Sequence, residues 1–189
     1  MRDDVLTGGF SDAPVQSARA FRAALDALAR PGRIVTLSGG AAPAPLSTAA
    51  ATLLLTLCDG ETPLYLAPGH DAPQVRDWVA FHIGAPIVGP GEAMFALGRW
   101  AALGRLDHYP VGTPDYPDRS ATLIVELDRL AADGARLTGP GIATEARLSL
   151  PETAAFEVNR TRFPLGLDFF FTAGTALAAL PRTTRVEAG

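Results

Sequence analysis

The chain has 189 residues, 48% of them hydrophobic and 19% charged, which fits a single globular domain over 1–189 and excludes a disordered chain. Its net charge of −4 and pI near 5.3 argue against a general nucleic-acid binder, which carries a basic face. All 16 basic residues are arginine, so no side chain can form a Schiff base and pyridoxal-phosphate chemistry of the usual kind is closed to the chain.

Residues 11–29 are expected to form an amphipathic helix. Ser11 or Asp12 can cap it, Pro14 suits its first turn, and Val15, Ala18, Phe21, Leu25 and Leu28 share one stripe. Pro31-Gly32 stops it, and RIVTL (33–37) reads as a strand. After the GGAAPAP loop (39–45), Ser47 can cap a helix to Cys58 that is apolar on most faces and therefore buried. LYLA (64–67) is a short strand. Asp71 can cap a further helix with Val75, Trp78, Val79 and His82 on one stripe, ended by Gly84 and Pro86.

A strand near AMFAL (93–97) precedes a turn-rich segment, 98–120, whose GTPDYPDRS reads as irregular surface. ATLIVEL (121–127) is continuous enough to lie centrally in a sheet. Strands at 135–139 and 146–150, a helix near 151–160, and strands at 167–172 and 176–186 complete the chain. Alternation of helices and strands points to an α/β architecture of three layers with a mixed sheet. No apolar run approaches the length of a membrane span. The start, MRDDVLTGGF, lacks the basic and then apolar pattern of a signal peptide. With one cysteine, Cys58, a cytoplasmic location is expected.

No catalytic set is evident. His70, His82 and His108 lack metal-ligand spacing, so no metal is expected, and His82 reads as a packed histidine. Cys58 ends an apolar helix and reads as core. The Gly-Pro-Gly runs at 88–93 and 138–144 could pass for phosphate loops, but proline removes a donor, and a turn between elements is the plainer reading. The C-terminal arginines are the remaining candidates. Arg160, Arg162, Arg182 and Arg185 flank what read as adjacent strand ends, with Asn159, Thr183 and Thr184 as neutral partners. A guanidinium fork matches phosphate or phosphonate oxygens, and it serves a subunit interface equally well. Asp168 is the carboxylate within the same region, either hydrogen-bonded to the turn or available as a general acid or base.

Taken in order, AFRAALDALARPGRIV (20–35), LLLTLCDGETPLYL (53–66), FHIGAP (81–86), GTPDYPDRSATLI (112–124), LTGPGI (137–142), FPLGLDFFFT (163–172) and ALPRTTRVE (179–187) resemble the PhnH family of the carbon–phosphorus lyase machinery. PLG-x-D followed by LPRTT is the most telling pair. The resemblance implies a fold like that of pyridoxal-phosphate-dependent transferases but without the cofactor. It also implies a homodimer that joins PhnG, PhnI and PhnJ. With them such a chain supports transfer of the ribosyl triphosphate of MgATP onto an alkylphosphonate, releasing adenine. The resemblance also implies that radical cleavage belongs to PhnJ with its iron–sulfur cluster; the single Cys58 here cannot hold such a cluster. The expected role is a non-autonomous subunit without cofactor, nucleic-acid or membrane partner. Arg182, Arg185, Arg162, Asn159, Asp168 and Thr183 are the candidate contacts to a phosphonate or nucleotide. The rival reading is a stand-alone enzyme that acts on a phosphorylated small molecule through these arginines.

Overall fold

A computed structural model of the chain describes residues 7–189; the first six residues of the segment read for a signal peptide lie outside it. Five α-helices and nine strands follow one another among the described residues. The helices are α1 (Ala13–Ala29), α2 (Thr48–Leu57), α3 (Pro73–His82), α4 (Trp100–Leu103) and α5 (Ala154–Thr161). The strands β1 (Val35–Thr36), β2 (Leu64–Leu66), β3 (Phe95–Arg99), β4 (Thr122–Glu126), β7 (Asp168–Ala173) and β8 (Ala176–Leu180) form one mixed sheet. A smaller antiparallel sheet holds β5 (Ala135–Thr138), β6 (Ala146–Leu148) and β9 (Arg185–Glu187).

The large sheet has the order β1-β8-β7-β4-β3-β2. Its strands β2, β3, β4 and β7 are parallel; β8 runs antiparallel to β7, and β1, antiparallel to β8, resumes the common direction. As its unbroken apolar run requires, β4 lies centrally, with β3 on one side and β7 on the other. Alternate side chains leave opposite faces of a strand. Ile124 and Phe170 therefore join Leu53, Leu54, Trp78 and Ala24 under α1, α2 and α3. Leu123, Val125, Phe169 and Phe171 face the other way and pack on Phe156 of α5, Leu103 of α4 and the small sheet. Phe156 stands edge-on to Phe169, with ring centroids 5.0 Å apart, and this aromatic contact seals the second face.

Local signals settle several termini. Ser47 Oγ accepts from the Ala50 N–H at 3.2 Å, the capping bond its position demands. At α3 the cap residue is Ala72, followed by Pro73, and no side chain caps the helix. Asp71 instead pairs with Arg76. The strand expected over 33–37 shrinks to two residues. The run read as a single strand over 176–186 divides into β8 and β9, because Pro181 offers no N–H and the Thr184 N–H turns back to the Pro181 carbonyl at 3.0 Å. The two Gly-Pro-Gly runs are turns: one joins β5 to β6, and the other is a 3-10 turn, Pro90–Glu92, before β3.

The largest departure concerns the face of α1. Ala20, Ala24 and Ala27 are buried, whereas Val15, Phe21 and Leu25 of the expected core stripe are exposed. Alanine lets the helix backbone approach α2 and β8 closely, so the small side is inside and the bulky side outside. The same layer receives Gly141, whose φ of +82° favours glycine and whose position leaves no room for a Cβ against the Ala29 carbonyl oxygen at the end of α1. Gly141→Ala is therefore expected to destabilise the fold by about 2–3 kcal/mol. A urea-unfolding midpoint unchanged from that of the wild type would count against this packing.

Candidate functional site

Two polar centres lie at opposite edges of the large sheet. Asp168 opens β7 and Arg182 follows β8, so both sit where the parallel strands begin. The Asp168 Oδ1 accepts from the Arg182 backbone N–H at 2.8 Å and from its Nε at 3.2 Å. Arg182 Nη2 donates to Asp168 Oδ2 and to Ser120 Oγ. Arg182 Nη1 donates to the carbonyls of Pro117, at 2.8 Å, and Pro164, at 3.4 Å. A guanidinium has five N–H donors, and each of these is engaged by the chain itself. Arg182 is thus turned inward, its side chain only 12% exposed.

The other candidate residues surround this lock in different ways. Asn159 is buried on α5; its Nδ2 donates to the Leu167 carbonyl and its Oδ1 accepts from the Leu167 N–H, both at 2.9 Å. It holds the Pro-Leu-Gly turn against the helix. The Thr183 carbonyl accepts from Arg160 Nε at 3.1 Å. Arg185 is exposed on β9 and, with Arg160, Glu157 and Glu187, lines a shallow recess of about 380 Å³. Arg162 lines a different recess, of about 400 Å³, with Trp100, Arg105, Glu152 and Val158. The structure therefore joins Asp168 to Arg182 and Arg160 to Thr183, and sets Arg162 apart.

At the opposite edge, where the parallel strands end, a buried ionisable pair closes the sheet. Glu126 is the last residue of β4 and only 6% exposed; His70 lies in the loop after β2 and is 3% exposed. His70 Nε2 donates to Glu126 Oε2 at 2.7 Å, and the Ser47 N–H donates to Glu126 Oε1 at 2.8 Å. Burial opposes ionisation of Glu126, but the bonds from His70 and Ser47 outweigh it and hold the carboxyl below its ordinary range. The positive end of the α2 dipole, where Ser47 caps the helix, adds to this. His70 Nδ1 is buried with no hydrogen-bond partner among the described residues. A carboxylate-oriented imidazole is the usual form of a general base, yet no substrate atom can touch this sealed nitrogen as it stands. What the pair does here is tie three elements together: the β2–α3 loop, the end of β4 and the start of α2. Cys58 is equally quiet chemically, since burial pushes its thiol up to about 12.

Against known proteins, the family described as "Bacterial phosphonate metabolism protein (PhnH)" matches residues 8–187. The chain belongs to the PhnH family. It is 39% identical to the alpha-D-ribose 1-methylphosphonate 5-triphosphate synthase subunit PhnH of Rhizobium meliloti (strain 1021), over 98% of each chain. It is 31% identical to the putative C-P lyase subunit protein HtxG of Stutzerimonas stutzeri, over 89% of this chain and 84% of that one. Within this PhnH-family fold, three of the segments that carried the resemblance meet at one side chain. GTPDYPDRS supplies Pro117 and Ser120, PLG-x-D supplies Pro164 and Asp168, and LPRTT supplies Arg182.

Sequence reasoning passed over His70 and Glu126 as a pair, although one signal was present. A carboxylate ending an otherwise apolar central strand, LIVE (123–126), has to find a donor once it is buried.

Arg182→Lys keeps the charge but loses the fork, and is expected to cost about 2–3 kcal/mol and to loosen 112–120, the segment it grips. Hydrogen exchange in that segment as slow as in the wild type, at unchanged stability, would refute the lock. For Glu126, the folded-state carboxyl is more acidic than its ordinary value of 4.5, so the unfolded chain takes up the proton first. Its stabilisation is full above about pH 4.5 and disappears as the pH falls through the folded value. Glu126→Gln should cost about 1.5–3 kcal/mol at neutral pH and flatten the acid side of the stability curve. Parallel acid limbs for the two proteins would show that this carboxylate is not the titrating group.

Proposed function

We propose that the chain is a non-autonomous subunit of a carbon–phosphorus lyase system, working in phosphonate breakdown. In this reading it is a single PhnH-like domain that supports transfer of the ribosyl triphosphate of MgATP to an alkylphosphonate, with release of adenine. Its partners are PhnG-, PhnI- and PhnJ-like subunits and a second copy of itself, in the cytoplasm. The layered sheet is taken as akin to that of pyridoxal-phosphate-dependent transferases, used without the cofactor. The observation that carries the proposal is the near end-to-end match to the Rhizobium meliloti protein, which is itself named as a synthase subunit. Among the described residues no helix is long and apolar enough to cross a membrane.

The arginine set is assigned on the same reading. Arg182, Asp168, Asn159 and Thr183 shape the C-terminal turns, while Arg185, beside Arg160, is the cation left facing outward for an anionic group. A stand-alone enzyme working through the arginines is disfavoured because Arg182 has no donor left for a phosphate oxygen. The test is adenine release from MgATP and an alkylphosphonate. None is expected from the purified chain, and release is expected once the companion subunits are added. Turnover by the isolated chain at the rate of the full mixture would overturn the subunit reading.

A further inference from the structure

The outward face of α1 combines two properties that exposed helices rarely need together. Val15, Phe21 and Leu25 are 42%, 48% and 51% exposed, with Pro14 and Ala18 beside them on the same side. Between this helix and β1 runs a recess of about 670 Å³, floored by Val35 and Ala23 and flanked by Arg19 and Arg22. β1 is the edge of the large sheet, paired with β8 alone among the described strands. Pro14, Val15 and Ala18 line this recess, Phe21 and Leu25 extend the exposed apolar groups along the helix, and such a surface suits an interaction partner.

Its charge identifies the occupant. Asp26 is the carboxylate lining the recess, and both Arg30 and Arg33 pair with it. Arg19 and Arg22 form no ion pair among the described residues. The face is thus cationic on a chain whose net charge is −4. A second copy docking about a two-fold axis would set the patch against itself, bringing Arg19 and Arg22 towards their own counterparts. Like charges brought together in this way disfavour association, whereas carboxylates opposite them favour it. We propose that the α1–β1 face docks an acidic segment of a different protein, one that presents apolar side chains to Val15, Phe21 and Leu25 and carboxylates to Arg19 and Arg22. The homodimer proposed above then uses another face.

This inference rests on the subunit reading but not on the reaction assigned to it. The experiment is affinity purification of the tagged full chain, co-expressed with its companion subunits, as wild type and as two variant pairs of equal charge change. Arg19→Glu with Arg22→Glu reverses the face; Arg105→Glu with Arg129→Glu reverses two other exposed arginines. A separate Leu25→Asp variant tests the apolar component, and circular dichroism with a melting curve checks that each variant is folded. The expected result is at least about a tenfold loss of companions with the α1 pair and with Leu25→Asp, and wild-type recovery with the control pair. Photocrosslinking from position 21 in the wild-type complex should map to a net-acidic segment of a companion. Full recovery with folded α1 variants overturns the docking proposal and leaves the subunit reading standing. Equal loss with the control pair overturns it too, because overall charge and not this face would then govern assembly. Crosslinking to a second copy, or conversion of a dimer to a monomer by Leu25→Asp in light scattering, assigns the face to self-association. If the wild type recovers no companions, both readings fall.

Discussion

A guanidinium group holds five donors in one plane, and few side chains can satisfy three separated stretches of backbone at once. Arg182 does so between the 112–120 segment, the Pro-Leu-Gly turn and the first residue of β7. Because Asp168 also accepts the Arg182 backbone N–H, the chain is held immediately after β8 and cannot extend that strand. The redirected chain turns at Pro181–Thr184 and supplies β9 to the small sheet. Val186 can then join Leu137 and Leu148 in the second core. The layer behind the sheet thus depends on a charge pair near its edge. Such a pair contributes less through net Coulomb energy than through the arrangement it enforces, since removing one member leaves the other poorly matched.

The two polar centres differ because of sheet direction. In open α/β sheets ligands gather beyond the carboxyl ends of the parallel strands. A strand end alone does not say which edge that is. β8 runs against β7, so the residue that follows β8 lies at the amino edge. The carboxyl edge is instead closed by Glu126 and His70, with the N-terminus of α2 set against the carboxylate. The place where related architectures bind ligands is here filled by the chain's own polar side chains.

Elements defined by local pattern were legible in the sequence. The Ser47 cap, the all-round apolar α2 and the central β4 each follow from a few neighbouring residues. Features decided by distant pairing were not. Arg182 reaches Ser120 across 62 positions, and His70 reaches Glu126 across 56. No spacing rule links such partners, so the arginines could be flagged without knowing which would turn inward. The division of 176–186 into β8 and β9 was hidden for the same reason. α1 misled in another way: periodicity located the helix but not its buried side. Hydrophobic size favours Phe21 and Leu25 as core, while close packing on α2 and β8 selects the alanines.

That inversion carries information about what lies outside the chain. A helix whose alanine face is already buried gains nothing within its own fold from valine, phenylalanine and leucine on the other side. Exposed apolar groups singly are ordinary, but here they share one helix face with two cations that form no ion pair among the described residues. Elsewhere the chain pairs its arginines closely: Arg76 with Asp71, Arg99 with Asp128, Arg129 with Asp133, and Arg136 with Glu145 and Glu187. Arg19 and Arg22 have no such ion-pair partner among the described residues, and neither do Arg119, Arg160, Arg162 and Arg185; what sets the α1 pair apart is its place beside exposed apolar side chains. Arg182 thus fixes the fold from inside, whereas on the docking proposal the α1 pair faces an outside partner.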